Sequence, residues 1–125
     1  MDKFSVLIVE DDQDVAELYG RVLESSGFTT EIARTGEAAL ARLSVSVPDI
    51  VVLDLSLPPH VSGADVLNKI RADQRLAQTR VVVVTGHPEL ADTVRDSADL
   101  VLLKPVEVNQ LTDLVTRLRP GQPGN

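Results

Sequence analysis

The chain has 125 residues, of which 43% are hydrophobic and 25% are charged, so it has the size and composition of one folded domain rather than of a disordered or collagen-like chain. It contains no cysteine, which excludes disulfide bonds, thiolate metal sites and cysteine nucleophiles. Its formal net charge of −7 argues against direct binding to nucleic-acid phosphates, and its 2% of aromatic residues is too few for a base-stacking surface.

The first part of the chain alternates strand and helix patterns. A continuous apolar run at residues 6–9 predicts a strand that is covered on both faces. Apolar residues at helical spacing follow over residues 15–23, and Gly27 lies where the C-terminal cap of that helix would fall. Residues 28–33 form a weaker strand pattern, after which Thr35 can cap a second, short helix.

The middle of the chain repeats this alternation. The apolar run at residues 50–53 predicts a third strand, and Ser62 with Asp65 resembles a capping box at the start of a third helix. Residues 81–84 predict a fourth strand, and Pro88 stands where a helix tolerates proline, in its first turn. Each strand is thus followed by a helix.

One more strand and helix complete five such pairs. Residues 100–103 predict the fifth strand, and the apolar residues over 111–118 share one helical face, which Pro120 ends. Five alternating pairs predict an α/β fold with a doubly wound, five-stranded parallel sheet and helices on both faces. We expect one domain over residues 1–120 and a flexible tail or linker stub over 121–125.

Polar residues end four of the predicted strands. Glu10 and Asp11 follow the first strand, Asp54 the third, Thr85 the fourth and Lys104 the fifth. Ligands of an open parallel sheet bind outside the carboxyl ends of its strands, so these side chains are expected at one edge. Each residue alone has an ordinary explanation as a turn former, a helix cap or a solvated end. Their convergence indicates a site.

The composition of this cluster points to phosphoryl chemistry. Three neighbouring carboxylates repel one another, and Mg²⁺ is the natural neutralising ion because it accepts two carboxylates together with water. The same ion can neutralise an incoming phosphoryl group while Lys104 and Thr85 contact its other oxygens. That arrangement would leave an oxygen of Asp54 free as a nucleophile.

Four segments carry a resemblance to a known family. They are VLIVEDD, VVLDLSLP, VVVVTGH and LVLLKP, in this order and over nearly the whole chain. Together they resemble the receiver domains of two-component response regulators, of which the single-domain chemotaxis regulator is the best-known relative. The resemblance implies the flavodoxin-like receiver fold and a domain that is phosphorylated on aspartate.

The resemblance also implies the metal and phosphoryl ligands. Asp54 would be the phosphorylated residue and a ligand of Mg²⁺. Asp11 would bind the ion directly, Glu10 would bind it through water, and the backbone carbonyl of Ser56 would complete the protein ligands. Asp12 is a third acid beside this pair, and we interpret it as the cap of the first helix.

Further roles follow from the same resemblance. Lys104 would contact the aspartyl phosphate, and its peptide bond with Pro105 would be cis. Thr85 would move toward the phosphoryl group as a switch hydroxyl, and the small Gly86 would leave that group accessible.

The chain departs from the usual family pattern at three places. Val101 stands where the family usually has tyrosine or phenylalanine, so the usual aromatic switch is in question. The loop over residues 55–63 is one residue longer than the commonest pattern and contains two adjacent prolines, which would restrict its motion. Ser56 and His87 occupy two positions that influence the lifetime of the phosphoryl group, although we interpret His87, like His60, as an ordinary exposed loop residue.

The leading functional hypothesis is a signalling switch. It would take a phosphoryl group from a histidine kinase or phosphotransfer protein and would signal to a downstream protein through residues 88–119, as a monomer or weak dimer without direct contact to nucleic acid. No apolar run approaches the roughly 18 residues of a membrane span, and no secretory leader begins the chain, so the sequence predicts a cytoplasmic protein. Enzyme activity beyond self-dephosphorylation is not expected.

Two alternatives stay open at this point. The first is a pseudo-receiver, an interaction module that is not phosphorylated, and Val101 keeps it under consideration. The second is a small phosphatase that uses Asp54 as a nucleophile, but the haloacid-dehalogenase pattern needs an aspartate where Ser56 stands. Nucleotide binding is not supported, because neither common glycine-rich phosphate loop occurs.

Overall fold

All five predicted strands form and lie in one sheet. The computed structural model describes residues 4–58 and 60–119. The strands are β1 Ser5–Val9, β2 Thr29–Ala33, β3 Ile50–Asp54, β4 Arg80–Thr85 and β5 Leu100–Leu103. The helices are α1 Gln13–Ser25, α2 Gly36–Val45, α3 Gly63–Ala72, α4 Pro88–Val94 and α5 Val108–Arg117. The predicted alternation of five strands and five helices is confirmed.

The strand order explains where the site lies. All strand pairs are parallel, and the order across the sheet is β2-β1-β3-β4-β5. The chain moves outward from β1 in one direction to β2 and in the other direction to β3, so β1 and β3 flank the topological switch point. Val9 pairs with Leu53 in the register. The residues that follow them, Glu10 and Asp54, therefore emerge side by side.

Two apolar cores cover the two faces of the sheet. Successive residues of a strand point to opposite faces, and accordingly Leu7 and Val9 belong to one core while Val6 and Ile8 belong to the other. Residues of α2 and α3 contribute to the first core, and residues of α1 and α5 contribute to the second. Because both faces are covered, every residue of β3 is buried, which is why its sequence is continuously apolar up to Asp54.

Local sequence signals fix several helix ends as predicted. The capping box of α3 is complete, since the Asp65 N–H donates to Ser62 Oγ and the Ser62 N–H donates to the Asp65 carboxylate, each at 3.0 Å. Thr35 Oγ1 accepts from the Ala38 N–H at 3.0 Å at the start of α2. Gly27 follows α1 with a φ of 97°, a backbone conformation that glycine adopts without steric cost.

A few details differ from the sequence predictions. β2 begins at Thr29, and Phe28 is buried just before it. Leu18, which lies on the predicted apolar stripe of the first helix, and Leu90 in α4 are 40% and 39% exposed. The helix α5 ends at Arg117. Pro120, which was predicted to end it, and the predicted tail over 121–125 lie outside the described residues, so the domain boundary stays a prediction.

Two glycines allow the loop between β3 and α3 to pack closely. A Cβ atom on Gly63 would lie 2.6 Å from the Asp54 carbonyl oxygen and 2.6 Å from Leu55 Cα. A Cβ atom on Gly36, at the start of α2, would overlap the carbonyl oxygen of Val61. Both close contacts involve backbone atoms that no change of rotamer can move, so these two approaches require residues without a side chain.

None of the helices in the described part of the chain has the length and apolar content needed to cross a membrane.

Candidate functional site

The carboxyl edge of the sheet brings together the side chains that the sequence singled out. Asp54 is the last residue of β3 and pairs with Val84 of β4. Thr85, the last residue of β4, pairs with Leu103 of β5, so that Lys104 follows directly beside it. Glu10 follows β1 on the other side of β3. The predicted convergence is therefore present.

Asp54 is held by donors on both of its oxygens. Its side chain is buried, and Oδ2 accepts from Lys104 Nζ at 2.9 Å while Oδ1 accepts from the Ser56 N–H at 2.8 Å. The expectation that one oxygen is free as a nucleophile when Mg²⁺ and a phosphoryl group are present stays a prediction. A carboxylate oxygen has two lone-pair directions, so each oxygen of Asp54 keeps one for a further partner.

The environment of the Glu10 carboxylate disfavours its charged form. Its side chain is only 2% exposed, and Oε2 accepts from the Asp12 N–H at 3.1 Å while Oε1 lies 3.5 Å from Lys104 Nζ. Burial raises the pKa of Glu10 to about 7 from an ordinary value of 4.5, and the neighbouring Asp54 raises it further against the opposing effects of the Asp12 N–H and Lys104. Near neutral pH, Glu10 is therefore poised between its charged and neutral forms.

Lys104 is the cation of this cluster. Its partial burial lowers its pKa, but the hydrogen bond and charge of Asp54, together with Glu10, outweigh that effect and raise the pKa above its ordinary value. Lys104 therefore stays protonated at neutral pH. Its ammonium group donates to the Asp54 carboxylate and lies close to the Glu10 carboxylate. A hydrogen-bond donor is thus present where further negative charge can be neutralised.

The acidic residues fit a hard divalent cation. Carboxylate oxygens of Glu10, Asp11 and Asp54 all lie within 4.8 Å of one another. Only oxygen donors are offered, which suits Mg²⁺ better than metals that prefer nitrogen or sulfur. One lysine does not balance three acids, and the charge of Asp54 adds to the effect of burial in raising the pKa of Glu10. Ser56 is anchored by its N–H to Asp54, and the role of its carbonyl as a ligand stays a prediction.

Thr85 and its neighbours border the cluster on the β4 side. Thr85 is fully buried, and its Oγ1 accepts from the His87 N–H at 3.1 Å. Its carbonyl accepts from the Lys104 N–H at 2.8 Å, which ties the end of β4 to the end of β5. A Cβ atom on Gly86 would meet only Lys104 Cβ, at 4.0 Å, so packing does not require glycine there. The peptide bond between Lys104 and Pro105 is cis, as the resemblance implies.

The remaining predicted residues take ordinary structural positions. Asp12 caps α1, because its Oδ1 accepts from the Val15 N–H at 3.1 Å, and this confirms its interpretation. His60 and His87 are both exposed, and His60 has a φ of 95°. Val101 is partly buried and packs against the core that α2 and α3 cover.

Arg34 is a residue of this edge that the sequence analysis did not single out. It follows β2, the neighbour of β1, and its guanidinium donates twice to the Asp11 carbonyl oxygen, at 3.0 and 3.3 Å. The available signal was its place directly after a predicted strand. That signal is weak, because β2 has the weakest strand pattern and the sequence alone does not indicate that β2 pairs with β1.

The sequence and the fold have close counterparts among known proteins. The family model of the response regulator receiver domain matches residues 6–116. The DNA-binding response regulator MtrA of Mycolicibacterium smegmatis is 35% identical over 121 residues, which cover 94% of this chain and 51% of that protein. The response regulator ArlR of Staphylococcus haemolyticus is 27% identical over 122 residues, which cover 95% of this chain and 54% of that protein. The chain spans about half the length, or less, of the curated relatives that it matches.

Solved structures share the fold at similar identity. A CheY-like response regulator receiver domain from Methylobacillus flagellatus has a TM-score of 0.84 and 29% identity, with 94% of this chain and 100% of that chain covered. The response regulator TrrA of Thermotoga maritima, solved in complex with Mg²⁺ and BeF, has a TM-score of 0.82 and 26% identity, with 92% and 98% covered. Since the family model covers most of the chain and these structures share its architecture, the chain belongs to the response regulator receiver domain family of two-component signalling.

Proposed function

We propose that Asp54 accepts a phosphoryl group from the phosphohistidine of a histidine kinase or histidine phosphotransfer protein. The observation that carries this proposal is the position of the Asp54 carboxylate. It is buried between the ammonium group of Lys104 at 2.9 Å and the acidic oxygens of Glu10 and Asp11, which lie within 4.8 Å. A carboxylate with a structural role alone does not need two further acids at this distance.

The transfer exchanges one bond to phosphorus for another. An oxygen of Asp54 attacks the phosphorus atom, the new P–O bond forms and the P–N bond to the donor imidazole breaks. The electron pair of the broken bond stays on the imidazole nitrogen. Lys104 donates to the carboxylate before the reaction and is close enough to donate to a phosphoryl oxygen after it, and the Ser56 N–H keeps the carboxylate oriented.

Mg²⁺ completes the charge balance in this proposal. When bound, it would neutralise the negative charge of the carboxylates and of the incoming phosphoryl group. Asp11, Asp54 and the Ser56 carbonyl would hold it directly, with Glu10 acting through water. Thr85 would then turn its hydroxyl toward the phosphoryl group as the switch residue.

The output surface in this proposal comprises residues 88–119. Thr85 lies three residues before α4, and Lys104 directly follows β5, so both phosphoryl contacts are linked through the backbone to this surface. Leu90 and Leu103 expose apolar area there, at 39% and 47% of their surface. Apolar area on a charged domain suits a protein partner. The net charge of −7 disfavours nucleic acid as the direct partner of this chain.

The test is intact-mass analysis after incubation with a small acyl-phosphate donor, with and without Mg²⁺. The wild type is expected to gain one phosphoryl group only when Mg²⁺ is present, and Asp54→Asn is expected to gain none. Glu37→Gln, an exposed change on α2, serves as the matched control and is expected to behave like the wild type. A folded wild type without an adduct would instead favour a pseudo-receiver that docks through residues 88–119.

The same samples separate a switch from an enzyme. A switch takes up one equivalent and releases it slowly as phosphate, whereas an enzyme would turn over many equivalents of a phosphoester. We propose the first behaviour, with at most self-dephosphorylation. Continuous turnover of a phosphoester that depends on Asp54 would support the second.

A further inference from the structure

Arg34 forms hydrogen bonds with the backbone of the acidic turn after β1. Its Nη2 and Nε atoms donate to the Asp11 carbonyl oxygen at 3.0 and 3.3 Å, and its Nη1 donates to Gln13 Oε1 at 3.3 Å. A guanidinium presents its donors in a rigid, planar fork, so two bonds to one oxygen restrict both the position and the direction of that carbonyl. A lysine has the same charge but no such fork.

The peptide unit between Asp11 and Asp12 is bound from both sides. Arg34 holds its C=O, and the carboxylate of Glu10 accepts its N–H at 3.1 Å. Because a peptide unit is planar, fixing both polar groups fixes the orientation of the whole unit. A cation at the carbonyl end and an anion at the N–H end also match the direction of the peptide dipole. Arg34 and Glu10 are thus linked through one backbone unit.

The strand β2 holds the start of the same turn. The Glu10 N–H donates to the Ala33 carbonyl at 3.0 Å, and Ala33 directly precedes Arg34. The last residue of β2 and the residue that follows it therefore hold the turn at Glu10 and at Asp11. Asp11 Cα is bonded to the carbonyl carbon that Arg34 holds through hydrogen bonds. These hydrogen bonds therefore restrict the direction in which the Asp11 side chain leaves the backbone.

We infer that Arg34 is a positioning residue for the divalent cation site, acting through the Asp11–Asp12 peptide unit on the carboxylates of Asp11 and Glu10. The inference rests on the proposed function, because it takes Glu10, Asp11 and Asp54 to bind Mg²⁺. It assigns a role in cation binding to the edge strand β2, which contributes none of the ligands.

A positioning role of Arg34 and the simple effect of its charge predict opposite changes in Mg²⁺ affinity when Arg34 is replaced. A guanidinium this close to the site repels a divalent cation, so on charge alone its removal would tighten Mg²⁺ binding. A positioning role predicts the opposite change, a weaker Mg²⁺ affinity, because loss of the Arg34 hydrogen bonds lets the Asp11 carboxylate move away from its binding geometry. Replacing a residue that orients a metal ligand without binding the metal itself typically weakens metal affinity by about tenfold or more.

The experiment measures Mg²⁺ binding by titration calorimetry on the full chain without a phosphoryl donor. Arg34→Lys keeps the charge and loses the fork, and Arg34→Gln loses both. Each is expected to bind Mg²⁺ about tenfold more weakly than the wild type. Arg21→Gln on the exposed side of α1 removes one positive charge elsewhere and is the matched control, with affinity close to that of the wild type.

A second readout follows the peptide unit itself. The Asp12 amide hydrogen is expected to exchange with solvent faster in Arg34→Lys than in the wild type, because the Asp11–Asp12 unit is no longer held at its carbonyl. Unchanged affinity in both variants, or tighter binding in Arg34→Gln with none lost in Arg34→Lys, would overturn the positioning role alone. A folded wild type that binds no Mg²⁺ would overturn both the role and the cation site of the proposed function.

Discussion

Two clusters of carboxylates and cations occupy opposite edges of the same sheet. The Asp54 cluster, comprising Glu10, Asp54 and Lys104, lies at the carboxyl ends of the strands. The Asp99 cluster, comprising Asp99, Arg71 and Arg80, lies at the amino ends of β4 and β5. There the Asp99 carboxylate accepts from the Val81 N–H at 2.7 Å, from Arg71 at 2.9 Å and from Arg80 at 3.2 Å.

The two clusters have opposite charge balance. In the Asp54 cluster two buried acids share one lysine, and burial, reinforced by the charge of Asp54, raises the pKa of Glu10 to about 7. In the Asp99 cluster one acid faces two arginines. Burial there favours the neutral acid, but the hydrogen bonds from Val81, Arg71 and Arg80 outweigh it and lower the pKa of Asp99 below its ordinary value. A cluster with satisfied charges stabilises a fold, whereas one with excess charge is ready to bind a cation.

The largest expected difference between the clusters is chemical. Asp54→Asn should abolish phosphoryl uptake from a small acyl-phosphate donor, while Asp99→Asn should leave uptake at the wild-type level because Asp99 lies at the other edge of the sheet. Intact-mass analysis of both variants side by side measures this. Uptake that survives in Asp54→Asn and fails in Asp99→Asn would reverse the assignment of the two clusters.

The second difference concerns stability. Asp99→Ala should lower the free energy of unfolding by about 2 kcal/mol, because it leaves the Val81 N–H and two guanidinium groups without their acceptor. Asp54→Asn should cost less than this and is expected to be neutral or stabilising, since it relieves repulsion between buried carboxylates. Urea denaturation in buffer without divalent cations measures both. A larger loss in Asp54→Asn would show that its cluster is the structural one.

The third difference is the sign of the pH dependence. The lowered pKa of Asp99 contributes stability above the unfolded value of about 4, and this contribution is lost as pH falls through the folded pKa. The raised pKa of Glu10 means that the folded chain binds more protons than the unfolded chain, so stability falls as pH rises from 4.5 to about 7.

The measurement is the free energy of unfolding across this pH range with a chelator present. Asp99→Asn should lose less stability than the wild type on acidification below about pH 4. Glu10→Gln should lack the decline between pH 4.5 and about 7. For each variant, the difference in unfolding free energy from the wild type is followed against pH. If this difference changed in the same direction for both variants, the contrast between the clusters would be contradicted.

The smallest expected effect lies within the Asp99 cluster. Arg71 also donates to the carbonyls of Ser97 and Thr79, at 2.6 and 3.1 Å, whereas the Arg80 side chain is 53% exposed. Arg71→Gln should therefore destabilise the fold by about 1.5 kcal/mol, and Arg80→Gln by about 0.5 kcal/mol. Thermal unfolding of the two variants under the same conditions compares them. Equal effects would mean that the carbonyl contacts of Arg71 add nothing.

The fold was predictable because its strands are covered on both faces. Continuous apolar runs marked β1, β3, β4 and β5, and only β2, at an edge with a mostly exposed sequence, gave a weak pattern. The polar start of β4 at Arg80 was missed, whereas Asp54 and Thr85, which the sequence placed at the ends of the third and fourth strands, belong to β3 and β4. Backbone pairing continues beyond the buried residues that produce the apolar signal. The short 3₁₀ helix Gln74–Leu76 escaped prediction because one turn has no periodicity.

The candidate site was predictable to the extent that parallel topology determines it. Residues directly after the strands meet at one edge whatever their exact contacts, and so Glu10, Asp54, Thr85 and Lys104 were placed together. The Asp99 cluster was not predicted, because Arg71 and Asp99 are separated by 28 residues and lie on different elements. The two hydrogen bonds on Asp54 were also not predicted, because they depend on the conformation of a loop and of a lysine side chain.

The close approach of Gly63 to β3 limits how the loop between them can vary. A side chain at residue 63 would meet the Asp54 carbonyl oxygen and Leu55 Cα, each 2.6 Å from its Cβ atom. Helix α3 therefore begins in close contact with the end of β3. Changes of loop length between Leu55 and Val61 would leave both close approaches intact, and His60 in that stretch already has a left-handed backbone. A side chain at residue 63 would therefore push the start of α3 away from the end of the strand that carries Asp54.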